Sequence, residues 1–295
     1  MSSAAIETRG LGKRYGRVRA LEDLSLRVEE GEVFGFLGPN GAGKTTTIRL
    51  LLGLLRPSAG AATVLGRAAA PGAAEVRGDL GYLPGELALW PAFTGAHTLA
   101  FLERLSGRPA VDRAALVGRL GLTTAELDRA VHGYSDGMKQ KLGIVQALQC
   151  RPKLALLDEP TKGLDPLVQR EFYAVLADAR RQGMTIFFSS HVISEAERVC
   201  DRVGMLRAGK LVSVGTVEEL RRAQRRRVIA VFGDDVDAAA LAHFGEVVER
   251  EARRVVLQVA QEELPALVAR LGMMPLVDLV VEPPSLEEVF LERYR

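Results

Sequence analysis

The run Gly38-Pro39-Asn40-Gly41-Ala42-Gly43-Lys44-Thr45-Thr46 has the residue types and spacing of a phosphate-binding loop, G-x-x-x-x-G-K-[ST]. Its glycines let successive backbone N–H groups curl round phosphate oxygens, and the N-terminus of a following helix adds partial positive charge. Lys44 has the reach for β- and γ-phosphates, and the Thr45 hydroxyl is a ligand for Mg²⁺. A second group closes the run Leu154-Ala155-Leu156-Leu157-Asp158-Glu159-Pro160. Asp158 is placed to hold Mg²⁺, directly or through water, and Glu159 to orient or deprotonate an attacking water. His191 follows a third apolar run, residues 184–190, and a neutral imidazole there can hydrogen-bond a γ-phosphate. These residues predict binding of a nucleoside triphosphate, with the groups needed to hydrolyse it.

Such side chains need an α/β scaffold to bring them together. Residues 32–37 read as a buried strand and residues 47–55 as an apolar-faced helix, which gives the strand, loop, helix order the motif requires. Residues 154–158 read as a buried parallel strand carrying its acids at the C-terminal edge, where open α/β sheets bind ligands. Further strands are expected at residues 6–15, 20–28, 62–65 and 79–83, a helix at 194–201, and a hairpin from 203–206 and 211–214. Residues 94–149 show helical periodicity over 98–105, 112–120 and 136–148, so a helical insertion interrupts the α/β core. Tyr15 could stack on a base or simply pack at the surface. His97, His132 and His243 lack such context and read as structural or surface residues.

Composition sets bounds on this reading. The chain has 295 residues, 47% hydrophobic and 26% charged, as a folded globule requires, and a formal net charge of +2 that favours neither nucleic acid nor an acidic partner. It has no apolar run of the ~18 residues a membrane helix needs. Glu7 and Arg9 interrupt the N-terminus before any signal-peptide core. Cys150 and Cys200 form no C-x-x-C pattern, which fits a reduced cytosolic protein.

The pattern changes at Arg221-Arg222-Ala223-Gln224-Arg225-Arg226-Arg227. This run could contact lipid headgroups or nucleic acid; without interleaved aromatics it reads as a solvated linker. Strands at 228–232, 246–249, 255–259 and 276–281, with helices at 236–244 and 262–271, give the order βαββαβ of a ferredoxin-like unit. Ser285 then caps a last amphipathic helix over 286–294. Residues 222–295 carry no catalytic constellation, which leaves regulation, dimerisation or partner docking.

The discriminating stretch is Tyr134-Ser135-Asp136-Gly137-Met138-Lys139-Gln140-Lys141-Leu142. Ser135 is a good N-cap, and the helix behind it aims free N–H groups outward as an anion site. With the glycine loop and the acid pair, it resembles the signature, usually Leu-Ser-Gly-Gly-Gln, of the nucleotide-binding subunits of ABC transporters, over residues 4–220. Tyr82-Leu83-Pro84-Gly85-Glu86 and Pro284-Ser285-Leu286-Glu287-Glu288-Val289-Phe290 are similar to the type-2 exporters of drugs, antibiotics and polysaccharides.

The resemblance implies a P-loop ATPase core of α/β class with an antiparallel β subdomain and a helical insertion at about 86–150, in a domain spanning 1–220, then a C-terminal α+β accessory domain at 221–295. It implies that ATP and Mg²⁺ bind. Tyr15 would stack on adenine, residues 38–46 would cradle the phosphates, and Thr45 and Asp158 would serve the metal. Glu159 would be the catalytic base and His191 the switch histidine. Ser135, Asp136 and Gly137 would close on ATP held by a second copy, with Asp165 in the loop that communicates across the dimer. The lid residue, usually Gln, falls at Gly85, with Glu86 next to it. Asp136 would repel a triphosphate it faced, so its side chain is expected to point away. The implied assembly is a homodimer at the cytoplasmic face beneath a separate multi-span permease, with no nucleic acid partner. The alternative is a soluble ABC-type ATPase acting on ribosomes or nucleic acid.

Overall fold

In the computed structural model, which describes residues 3–72, 78–222 and 225–282, the chain opens with β1 (Ala4–Tyr15) and β2 (Val18–Glu29), paired antiparallel. β3 (Val33–Leu37) is buried at every position and feeds the glycine loop; α1 (Lys44–Leu51) follows. β4 (Ala59–Val64) and β5 (Arg67–Ala68) complete an antiparallel sheet ordered β2-β1-β4-β5.

β6 (Leu80–Leu83) precedes the helical insertion, made of α2 (Gly95–Ser106), α3 (Arg113–Arg119), α4 (Thr124–Leu127) and α5 (Asp136–Leu148). Side-chain caps set three of these starts. Thr94 accepts from His97 N, Thr123 forms a capping box with Glu126, and Ser135 accepts from Met138 N. The short α4 has too few residues to show periodicity and was not expected from the sequence.

β7 (Leu154–Asp158), α6 (Pro166–Arg181), β8 (Thr185–Ser190), α7 (Ile193–Val199), β9 (Arg202–Arg207) and β10 (Lys210–Thr216) follow. The second sheet has six strands in the order β10-β9-β3-β8-β7-β6. Its pairs β3/β8, β3/β9, β7/β8 and β6/β7 are parallel. Strands β3, β7 and β8 are buried throughout, as parallel strands covered on both faces must be. Phe187 packs between Phe34 and Phe36, with centroids at 5.8 and 5.2 Å.

The register matters most for chemistry. Leu37 lies opposite Ser190, Asp158 opposite Ser189, and Leu83 opposite Leu157. Four chain segments therefore leave the sheet along one carboxyl edge: the glycine loop, the acid pair, the turn at Pro84-Gly85, and His191.

Contacts divide the chain into two units, Met1–Val214 and Gly215–Arg295. The second begins with α8 (Val217–Arg222) and contains β11 (Arg226–Phe232), β12 (Glu246–Glu251), β13 (Arg254–Val259), α9 (Leu264–Leu271) and β14 (Leu276–Glu282). Its antiparallel sheet runs β12-β13-β11-β14, the strand order of a ferredoxin-like unit.

Two expectations need correction here. The helix at 236–244 is a single 3₁₀ turn, Ala238–Leu241. Val236 N is tied to Ala252 O and the Asp237 side chain caps Ala239 N, so a helix cannot start earlier. The arginine run is not one linker either. Arg221 and Arg222 end α8, while Arg226 and Arg227 open β11. Arg225 pairs with Glu246 at 3.2 Å and Arg227 with Glu249 at 2.9 Å. The last helix expected, Ser285 and 286–294, lies outside the described residues.

Candidate active site

A cavity of about 440 Å³ opens at the carboxyl edge of the parallel sheet. Residues 39–46 of the loop line it, together with Gly85, Glu86, Asp158 and Glu159. Ala20, Arg49 and Lys162 also face it, and nothing in their local sequence marks them.

The loop is shaped by space as much as by charge. Gly43 stands at φ 111, and a Cβ there would come within 2.5 Å of Ala20 O. A Cβ on Gly38 would likewise lie 2.5 Å from Leu206 O. Gly43 caps α1 with no side-chain bond, and α1 has no acid in its first turn, so its leading N–H groups are left for an anion.

Lys44 is buried at this turn. Its Nζ donates to Gly38 O at 2.6 Å and to Pro39 O at 3.3 Å. It also lies 3.1 Å from Glu159 Oε1, close enough for an ion pair though without hydrogen-bond alignment. The other oxygen, Glu159 Oε2, is 2.6 Å from His191 Nδ1. Lys44, Glu159 and His191 thus form one contiguous chain of charge and proton-carrying groups.

Glu159 itself stands at φ 50, in the left-handed region that a non-glycine residue keeps only when its surroundings hold it. Its N–H is held by Ser189, at 3.2 Å to both the carbonyl and the hydroxyl. From the other side Gln140, buried on α5, donates to Pro160 O at 2.8 Å and to Glu159 O at 3.4 Å. The sequence analysis has Gln140 within the stretch 134–142 but gives it no role. The signal was a polar residue four before Ile144 and eight before Leu148, on the buried face of α5.

Asp158 is 1% exposed. Its Oδ1 accepts from the Ser189 hydroxyl, and its Oδ2 is buried with no hydrogen-bond partner. A buried carboxylate oxygen left unpaired is costly, so this one is a ready place for a cation. Burial first, and then the Asp158 charge, pushes the Tyr82 phenol up, with Arg49 acting the other way. A Cβ at Gly85 would sit 3.3 Å from Asp158 Oδ2. The backbone at the lid position is therefore against the acid, with no side chain between. Among the described residues no cluster of three or more His, Cys, Asp or Glu side chains could hold a metal alone. A divalent ion at Asp158 would draw most of its ligands from phosphate and water.

Several residues singled out by sequence lie away from this cavity. Tyr15 is 45% exposed, with Lys13 Nζ 5.2 Å from its ring centroid. Ser135 is committed as the cap of α5, and a Cβ on Gly137 would meet Gly163 O at 2.9 Å. The Asp136 side chain faces solvent and pairs with Lys139 at 3.2 Å. Asp165 caps α6, accepting from Leu167 N and Val168 N at 3.0 Å each.

Comparison with known proteins shows the family of the chain. Residues 21–162 match the family described as ABC transporter, and residues 224–282 match the family described as EvrA-like ABC transporter, C-terminal domain. Nod factor export ATP-binding protein I of Burkholderia orbicola is 36% identical over 298 residues, covering 99% of this chain and 97% of that protein. The bacitracin transport ATP-binding protein BcrA of Bacillus licheniformis is 33% identical over 301 residues, covering 98% of this chain and 97% of that one. A solved structure of an ATP-binding subunit of an ABC transporter superposes with a TM-score of 0.69 at 31% identity, over 74% of this chain and 92% of that chain. The dimeric cassette MJ0796 bound to ADP and Pi shares the fold, with a TM-score of 0.65 at 21% identity over 72% of this chain and 98% of its own.

Proposed function

This chain belongs to the ATP-binding, ATP-hydrolysing subunits of ABC transporters, and from that premise we propose that it powers export as a homodimer beneath a separate membrane permease. Residues 1–220 are the ATPase and 221–295 an accessory domain. The observation that carries the reading is the Lys44–Glu159–His191 chain at the mouth of the glycine loop.

Residues 38–46 wrap the phosphates, and Tyr15 offers its exposed ring to the adenine. An arriving γ-phosphate competes with Glu159 for Lys44, which frees the Glu159 carboxylate to take a proton from water. With that carboxylate ionised, His191 Nδ1 is the donor of their 2.6 Å contact, and Nε2 would donate to the γ-phosphate only from the doubly protonated imidazolium, since a neutral ring keeps an acceptor there. Asp158 Oδ2 and the Thr45 hydroxyl are the groups that would hold Mg²⁺, which when bound would supply positive charge to offset that of the phosphates. Gly85 gives the lid no side chain, so Glu86, which also lines the cavity, is the residue left to act there.

Ser135, Asp136 and Gly137 do not line the cavity of their own chain, which supports a role on the nucleotide of a second copy. Gln140 ties the helix they open to Glu159, so closure of the dimer would be felt at the base. Among the described residues no helix is long and apolar enough to cross a membrane. The permease and the placement at its cytoplasmic face are proposed from the relatives named for transport and export. Action on ribosomes or nucleic acid is not favoured, since the full-length relatives are named for transport and export.

The test is a pulldown of the tagged full chain from native membranes, with copurifying proteins identified by mass spectrometry. A multi-span membrane protein in stoichiometric amount is the expected result. Ribosomal proteins or nucleic acid in its place would overturn the exporter reading while leaving the ATP site intact.

A further inference from the structure

Thr161, in the turn after β7, and Ser190, at the end of β8, meet at one carboxylate, Glu195 on α7, which is 7% exposed. Glu195 Oε1 accepts from Thr161 Oγ1 at 2.5 Å, and Oε2 accepts from Ser190 Oγ at 2.5 Å. Tyr173 on α6 lies close by: burial first, then the Glu195 charge, pushes its phenol up. An apolar side chain of similar size would fill this space without the cost of desolvating an acid. Packing alone therefore does not account for Glu195.

The donors' places in the chain supply a reason. Thr161 stands two residues after Glu159, and Ser190 immediately precedes His191. Glu159 and His191 are the pair that meets at 2.6 Å. Glu159 needs its left-handed backbone held from both sides. Ser189 holds its N–H, and the Thr161–Glu195 bond anchors the chain just beyond it.

We propose that Glu195 is a positioning residue for ATP hydrolysis: by holding Thr161 and Ser190 on one carboxylate, it fixes the spacing of Glu159 and His191. The proposal rests on the reading of Glu159 as the group that takes the water's proton. Glu195 does not line the nucleotide cavity, so its loss acts on turnover and not on ATP binding.

The experiment measures kcat and KM for ATP, binding of a fluorescent ATP analogue with Mg²⁺, and thermal melting, all on the full chain. Glu195→Ala is expected to lower kcat by about ten- to hundredfold, the loss that a misplaced reacting group brings. KM and analogue affinity should stay within about twofold of wild type. Glu195→Gln keeps an acceptor oxygen and should recover part of the loss. If Glu195→Ala does not fold, Thr161→Val and Ser190→Ala decide the matter: each removes one donor to Glu195, Ser190→Ala also removing the acceptor of Val192 N, and each should lower kcat at unchanged KM. Wild-type kcat in folded Glu195→Ala, or in both donor variants, would overturn the proposal, as would a loss confined to KM. Glu159→Gln separates the layers. If it turns over normally, the premise is wrong; if it is inactive while the Glu195, Thr161 and Ser190 variants are normal, only this inference fails.

Discussion

The two units of the chain differ in what they bury. Every buried polar or charged side chain among the described residues lies in the first, including Lys44, Gln140, Asp158, Thr161, Ser189, Ser190 and Glu195. The second closes over a purely apolar core in which Val228, Ala230, Leu257 and Leu267 are fully buried. Both orphaned buried oxygens, Asp158 Oδ2 and Glu159 Oε1, belong to the first unit, as does the left-handed Glu159. Burying polar groups and bending a backbone out of its favoured region both cost stability. A structure that carries those costs together, in one place, marks where its chemistry is done. Among its described residues the second unit carries none of them, and its core is apolar packing.

The sharpest way to break this contrast is to remove Lys44. Lys44→Ala leaves Glu159 without its cation and the phosphates without theirs. ATP affinity should fall by about 2–5 kcal/mol, roughly thirtyfold or more, in a nucleotide titration. Leu257→Ala should act in the opposite sense. A buried leucine truncated in an apolar core costs about 2–5 kcal/mol of stability, read as a lower melting transition, while ATP affinity stays unchanged. Gln140→Leu should fall between these. Pro160 O would lose its buried donor, at about 1–3 kcal/mol, and kcat should drop at near-constant KM. The smallest effect belongs to Arg227→Ala, whose partner Glu249 is exposed; chemical denaturation should register no more than about 1 kcal/mol. If Leu257→Ala abolished ATP binding, or Lys44→Ala only melted the protein, the division of labour would be wrong.

How much of this was legible beforehand follows from how local each signal is. α5 has the expected bounds and β3 starts one residue later than expected, because a serine cap before a periodic helix and an apolar run before a glycine loop are complete within a few residues. The 3₁₀ turn at Ala238–Leu241 was misread as a helix, because the bond that limits it comes from Ala252, fourteen residues beyond Ala238. Lys44, Asp158 and Glu159 announced themselves by motif, and the register of the sheet brings them together. Glu195 had no such signal. Its helix is too short for periodicity, and Thr161 lies 34 residues away in sequence.

The measurement that tests the central claim most directly is ATP turnover by Glu159→Gln beside its retention of ATP. The account predicts a fall in kcat of about a hundredfold or more, the worth of a positioned base, with ATP still bound and the dimer held closed on it. Wild-type turnover in this variant would contradict it, because the chain from Lys44 through Glu159 to His191 would then have no part in the chemistry.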